Sequence, residues 1–157
     1  GALDDVALAA SGAQALALWK IRETIPEAQF TNVKHDVSVP VSRVPDLIER
    51  ASSALARAFP GVAIFAFGHI GDGNVHFNVG MRDSAATAAL MEGREQVNRI
   101  VYDVVDALGG SISAEHGLGQ LKREEIRRHK DPVELALMRT LKRALDPQGL
   151  MNPGKVL

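Results

Sequence analysis

The chain contains no cysteine, and aromatic residues make up only 4% of its 157 residues. Without cysteine, the chain can form no disulfides, no cysteine-ligated zinc or iron–sulfur sites and no thiol nucleophile, which is compatible with a reducing cytosol. We therefore expect a cytoplasmic protein. The scarcity of aromatic rings leaves few surfaces on which nucleic-acid bases could stack.

The chain also lacks an excess of one charge and any long apolar run. Lys and Arg total 18 against 19 for Asp and Glu, so the net charge of −1 creates no field that attracts nucleic acid or an anionic membrane. The longest apolar run, Val62 to Phe67, is too short to cross a bilayer, and no basic flank begins a signal peptide. A soluble protein with one domain, residues 1–157, is predicted.

Hydrophobic periodicity predicts an alternation of strands and helices. Two-residue alternation indicates strands at 31–39, 74–79 and 111–115, and a continuous apolar run indicates one at 62–67. Helical spacing indicates helices at 3–24, 42–59 and 84–108, followed by two more in the C-terminal tail, the second of which begins at Asp131-Pro132.

Strand, helix, strand, strand, helix, strand is the order of the ferredoxin-like α+β motif. We predict an antiparallel sheet with helices on one face, plus additional N- and C-terminal helices. The opposite face is expected to be bare, and the alternation places Lys34, His76 and Glu115 on it. Such a face is either simply solvated or a binding surface, and the pattern alone does not decide between the two.

Two segments combine histidine with glycine. Segment 67–78 has three glycines and two histidines, His69 and His76, which can converge across a tight hairpin. Imidazole is the commonest metal ligand, and a third ligand could come from Asp72 or, as the better candidate, from Glu115 in segment 113–119. A histidine beside glycine is more often a simple turn residue, and Asp72-Gly73 is a common turn signal, so a purely structural role is the alternative.

The remaining histidines receive structural interpretations. His35 lies on the apolar side of its strand and is expected to pack in the core. His129 lies at a helix end, where a cation complements the helix dipole, and residues 122–130 are interpreted as a solvated helix face.

Five short segments, distributed over nearly the whole chain, resemble the C-terminal domain of FAD-linked oxidases, the group that includes D-2-hydroxyglutarate, D-lactate and glycolate dehydrogenases. The segments read LWKIRE (18–23), KHDVSVP (34–40), GHIGDGNVH (68–76), SAEHGLG (113–119) and LDPQGLMNPGKV (145–156).

The resemblance implies the substrate- and metal-binding part of an FAD-dependent dehydrogenase, which oxidises a D-2-hydroxy acid by hydride transfer to the flavin. It implies a divalent metal, zinc or manganese, bound by His69, His76 and Glu115, and removal of the hydroxyl proton by His116. Arg22, Lys34 and Asn74 match substrate-binding positions, and Asn152 matches a position near the flavin. Pro26 stands where the hydroxyglutarate enzymes have a hydroxyl residue, and this departure argues against recognition of a second carboxylate.

No Gly-rich nucleotide-binding segment precedes Arg22. We therefore expect FAD to be held mainly by a flavin-binding domain of the same polypeptide that lies outside this chain, and the chain alone to be inactive. Its expected partners are that domain and a small 2-hydroxy acid, with a homodimer left open. The alternatives are a non-catalytic module that binds a metal or a small carboxylic acid, and a metal-free relative that keeps the motifs for flavin contact only.

Overall fold

The structure is a computed structural model that describes residues 6–25, 27, 29, 31–69 and 71–157. Its helices are α1 (Gly12–Thr24), α2 (Val44–Ala58), α3 (Ser84–Glu92), α4 (Arg94–Ala107), α5 (Arg123–His129) and α6 (Pro132–Leu145). Its strands are β1 (Asn32–Val33), β2 (Asp36–Ser38), β3 (Ala63–His69) and β4 (Asn74–Gly80), and a 3₁₀ turn, Val41–Arg43, precedes α2. Among the described helices, none has the length and hydropathy needed to cross a bilayer.

β4 is the central strand of an antiparallel sheet. It pairs along its whole length with β3 on one side, and with β1 and β2 on the other. Beyond β2, Ser111 adds an isolated antiparallel bridge to Ser38. The predicted strand 31–39 is therefore the two short strands β1 and β2, and the α+β prediction with an antiparallel sheet is confirmed.

The hydrophobic core lies between one face of the sheet and helices α2 and α4. Every second residue of β4 points into it, and apolar residues of both helices at three- and four-residue spacing meet them. These side chains are almost fully buried: Val75, Phe77 and Val79 from β4, Leu47, Ala51 and Leu55 from α2, and Val97, Val101 and Val105 from α4. The amphipathic patterns of the sequence predicted these positions correctly.

Two predicted elements differ in the structure. The single helix predicted over 84–108 is broken at Gly93 into α3 and α4, because this residue adopts a turn conformation (φ −83°, ψ 10°). The strand predicted at 111–115 is reduced to the bridge at Ser111, because the N–H groups that follow turn toward Asp36 instead of continuing a backbone ladder.

The N-terminal helix also begins later than predicted. α1 starts at Gly12, with the hydroxyl of Ser11 accepting the N–H of Gln14, and none of its residues is buried. The apolar stripe expected on it is therefore not buried in the described part of the chain. Residues 1–5 and Pro26, at which the sequence departs from the family pattern, lie outside the described residues.

The sheet face opposite α2 and α4 is not bare, in contrast to the prediction. Asp36, Asn74 and Asn78 point to this side and are nonetheless buried. Asn78 donates an amide hydrogen bond to Gln29, and the other two side chains contact the segment around Glu115. This polar side of the sheet carries the site described next.

Candidate metal centre

The β3–β4 hairpin brings His69 and His76 to the same side of the sheet. His69 is the last residue of β3, His76 is the third residue of β4, and their ring centroids are 6.2 Å apart. Gly73 makes the connecting turn with a φ of +77°, and a Cβ built on it would lie 2.0 Å from the carbonyl oxygen of Val39. Only glycine fits this position, because both the backbone conformation and the space exclude a side chain.

Glu115 reaches both histidines from the segment that lies beyond β2. Its Oε1 lies 3.2 Å from His69 Nε2, and its Oε2 lies 3.9 Å from His76 Nε2. The side chains of His69 and Glu115 are 46% and 45% exposed, whereas that of His76 is 19% exposed. His76 is therefore the most buried residue of the cluster, and His69 and Glu115 are open to solvent.

This donor set fits a divalent metal. One ligand atom from each of the three residues lies within 4.8 Å of the others. Two ligand atoms bound to a tetrahedral zinc ion at about 2.1 Å are about 3.4 Å apart, close to the spacings observed. Asn74 Nδ2 donates to Glu115 Oε1, while the buried Asn74 Oδ1 has no hydrogen-bond partner. Two imidazoles and a carboxylate with an open position suit zinc or manganese.

Asp36 is a site residue that the sequence analysis missed. It is 4% exposed, and its Oδ2 accepts the backbone N–H groups of Glu115 and His116, both at 2.8 Å. Burial raises the pKa of Asp36, but these two hydrogen bonds and the nearby His116 and Lys122 outweigh it, so the net pKa shift is downward. The alternation that placed Lys34 on the polar face also places Asp36 there, two residues later, but it does not reveal the hydrogen bonds to Glu115 and His116.

A cleft of about 560 Å³ opens beside the three-residue cluster. Charged, imidazole and amide side chains on its wall include Lys34, Asp36, His76, Asn78, His116 and Lys122. Lys122 is half-buried and donates to the carbonyl of Ile112 at 2.7 Å. Burial lowers its pKa, against the raising effect of Asp36. Lys122 is therefore part of the cleft wall, and its assignment to a solvated helix face was wrong.

The other predicted site residues divide into two groups. His116 lies at the cleft with its ring 69% exposed and 5.9 Å from that of His76, and Lys34 is exposed on the same cleft. Arg22 instead lies on α1, with its guanidinium 5.1 Å from the ring centre of Trp19, and lines a different pocket. Asn152 is exposed near the C-terminus, and its carbonyl accepts the N–H of Lys155. Arg22 and Asn152 do not line the cleft in the described structure.

The two histidines away from the site, His35 and His129, are both largely buried. His35 packs in the core as expected, with Nδ1 2.8 Å from the carbonyl oxygen of Phe77. The side chain of His129 is only 9% exposed and lies within 4.0 Å of the carboxylates of Asp103, Asp106 and Glu125. His129 therefore lies at the end of α5, as expected, and is also surrounded by three carboxylates.

Comparison with known proteins identifies the family. Residues 1–156 match the family model described as FAD linked oxidases, C-terminal domain. The D-2-hydroxyglutarate dehydrogenase of Xanthomonas citri pv. viticola is 40% identical over 158 residues, which cover 99% of this chain and 34% of that protein. The protein of the same name from Stutzerimonas stutzeri is 39% identical (88% and 30% covered), and the mitochondrial one from Bos taurus is 40% identical (89% and 25% covered).

The chain therefore belongs to the family of C-terminal domains of FAD-linked oxidases. It spans about a third or less of the length of these relatives.

Proposed function

We propose that residues 1–157 form the substrate- and metal-binding domain of an FAD-dependent dehydrogenase that oxidises a D-2-hydroxy acid. The observation that carries the proposal is the convergence of His69, His76 and Glu115 at a cleft that also presents His116. D-2-hydroxyglutarate, named in the relatives, is the first substrate to test. In this proposal FAD is held mainly by another domain of the same polypeptide, and the chain alone has no turnover.

His69, His76 and Glu115 would hold the metal through two imidazole Nε2 atoms and a carboxylate. When bound, the metal supplies a Lewis acid that lowers the pKa of a hydroxyl group, and the flavin supplies the hydride acceptor. Asn74 contributes by orienting Glu115, since its amide donates to the carboxylate. A direct contact of Asn74 with substrate stays a prediction.

His116 is the proposed acceptor of the substrate hydroxyl proton. Its Nδ1 lies 4.0 Å from Asp36 Oδ2, so an Nδ1–H that points toward this carboxylate leaves Nε2 free to take the proton. The ring is exposed at the cleft, where a substrate can approach it.

Lys34 is the cation best placed to attract the substrate carboxylate, because it is exposed on the same cleft. Arg22, as a second carboxylate contact, and Asn152, beside the flavin, stay proposals that depend on the family resemblance. In the described structure both residues lie outside the cleft.

The test separates metal binding from proton transfer in the full-length protein. His69→Ala and His76→Ala are each expected to remove the divalent metal measured by elemental analysis. His116→Ala is the matched control, because it removes an imidazole next to the cluster but no ligand of the three-residue set. We expect this variant to keep its metal and to lose about 10²- to 10⁴-fold in the rate of D-2-hydroxy acid oxidation with an artificial electron acceptor.

A parent protein that binds no divalent metal would refute the metal assignment. Loss of the metal in His116→Ala as complete as in His76→Ala would contradict the separation of roles. If the parent retains metal but oxidises none of a panel of D-2-hydroxy acids, a non-catalytic binding module becomes the better description.

A further inference from the structure

Asp36 lies between the Glu115–His116 segment and His76, and so faces residues from both segments of the proposed metal centre. Its Oδ2 accepts the N–H groups of Glu115 and His116, and its backbone carbonyl accepts the N–H of Ala114 at 3.3 Å. Its second carboxylate oxygen, Oδ1, is buried, has no hydrogen-bond partner and lies 3.8 Å from His76 Nδ1. The other ring nitrogen of His76, Nε2, is the one that faces Glu115.

A buried carboxylate oxygen without a hydrogen bond is costly. The described structure offers one nearby cation, Lys122, but its Nζ donates to the carbonyl of Ile112. The ring of His116 lies on the Oδ2 side of the carboxylate and that of His76 on the Oδ1 side. The 3.8 Å from His76 Nδ1 to Oδ1 exceeds the usual length of a hydrogen bond by about 0.6 Å. A small ring rotation toward Asp36 would close that gap.

A neutral imidazole carries its single N–H on one of two nitrogens, and only the bare nitrogen can bind a metal. Metal-binding histidines almost always donate the other N–H to a carboxylate, a carbonyl or water, which fixes the tautomer and the ring orientation. Asp36 Oδ1 stands on the Nδ1 side of His76, opposite the side that faces Glu115.

We propose that Asp36 is the positioning residue of this centre. Its Oδ1 accepts the Nδ1–H of His76 and so keeps Nε2 bare for the metal, while its Oδ2 holds Glu115 and His116 through their backbone N–H groups. One buried carboxylate thus sets the relative positions of two metal ligands and the proposed proton acceptor. This inference rests on the proposed metal-binding function.

The first test needs no metal and leaves Asp36 unchanged. Histidine-selective ¹⁵N labelling of the metal-free full-length protein, at a pH where the ring is neutral, reports which nitrogen of His76 carries the proton. The signals are assigned by their loss in His76→Ala. We expect the proton on Nδ1, and a proton on Nε2 would overturn the proposal. Since no metal is involved, this result is independent of whether the proposed function holds.

The second test compares two buried carboxylates, of which Asp146 also forms an ion pair with Lys142. Asp36→Asn can still accept the backbone N–H groups through its amide oxygen, but it turns an NH₂ group toward His76 Nδ1. Asp146→Asn is the matched control, since Asp146 is also a buried carboxylate that accepts two backbone N–H groups, those of Leu150 and Met151, but no histidine contact is described for it.

Zinc titrated into the metal-free full-length proteins is expected to bind about 10- to 100-fold more weakly to Asp36→Asn than to the parent, and unchanged to Asp146→Asn. The His76 proton is expected to move to Nε2 in Asp36→Asn. Zinc affinity equal to that of the parent in a folded Asp36→Asn overturns the proposal, as does weakened binding with the proton still on Nδ1. If Asp36→Asn does not fold, the labelled parent protein decides.

Discussion

His35 shows how burial changes the chemistry of a single residue. It is 1% exposed, its Nδ1 lies 2.8 Å from the carbonyl oxygen of Phe77 and its Nε2 lies 3.0 Å from Asn98 Oδ1. Burial lowers the pKa of His35 to about 4, although both hydrogen bonds favour the charged form. The folded protein therefore holds this ring neutral at pH values at which an exposed histidine is already protonated.

Stability is expected to fall as the pH falls from about 6.5 toward 4. In this window the unfolded chain binds a proton at His35 and the folded chain does not, so acid favours unfolding by about 3 kcal/mol at the lower end. Urea unfolding of the parent and of His35→Gln at several pH values measures this contribution. The difference between the two free energies of unfolding should change across the window, and parallel curves would contradict the interpretation.

The sequence identified the three candidate metal ligands but not the buried carboxylate beside them. His69, His76 and Glu115 stand in segments dense in glycine and histidine, a composition that local structure alone seldom needs. Asp36 stands in an ordinary alternating strand, and its importance arises from two N–H groups that lie 79 and 80 residues further along the chain. No local pattern encodes a contact at that separation, so the carboxylate becomes conspicuous only in the folded structure.

At the scale of secondary-structure elements, the turn of the β3–β4 hairpin restricts which residue can occupy position 73. The carbonyl of Gly73 accepts the N–H of Val39, so the turn is held against the end of β2. Gly71 lies two residues earlier in the same turn, and a Cβ built on it would meet no atom within 4 Å. A side chain at Gly73 would therefore clash with the carbonyl oxygen of Val39, whereas a side chain at Gly71 would meet open space.

Gly73→Ala is expected to lower the free energy of unfolding by at least about 2 kcal/mol, because it combines a left-handed backbone with a clash against Val39. Gly71→Ala, as the control, should change it by less than about 1 kcal/mol. Chemical denaturation of both variants measures the difference. Zinc affinity should fall with Gly73→Ala, since the turn sets the spacing of His69 and His76, and equal effects of the two substitutions would argue against this role for the turn.

Periodicity predicted the type of each element better than its extent. The amphipathic patterns of α2 and α4 arise from burial of one face, which is a local property of the sequence, and they identified the core correctly. The break at Gly93 occurs at a glycine that ends α3 in a turn conformation, whereas the shortening of the last strand depends on hydrogen bonds to Asp36. The second deviation is decided by a tertiary contact that the pattern of the element itself does not contain.

At the scale of the whole molecule, core and candidate site share one sheet but occupy its two faces. β4 contributes Val75, Phe77 and Val79 to the core, and its intervening residues Asn74, His76 and Asn78 to the polar side. Because neighbouring side chains of a strand point in opposite directions, the ligand side can vary without disturbing the packing beneath α2 and α4. The two-residue alternation of this strand was readable in the sequence.

The distance in sequence between His76 and Glu115 gives the proposed metal a structural effect beyond its chemistry. A bound ion would close a loop of about 40 residues in a chain whose lack of cysteine denies it any disulfide. For a covalent cross-link around a loop of that length, chain entropy alone gives about 4 kcal/mol of stabilisation. Removal of the metal by a chelator is expected to lower the unfolding temperature of the parent protein, but not of His76→Ala. An unfolding temperature of the parent that does not change on removal of the metal would contradict this effect. A bound ion would thus act as a reversible cross-link between the β3–β4 hairpin and the segment that follows Ser111.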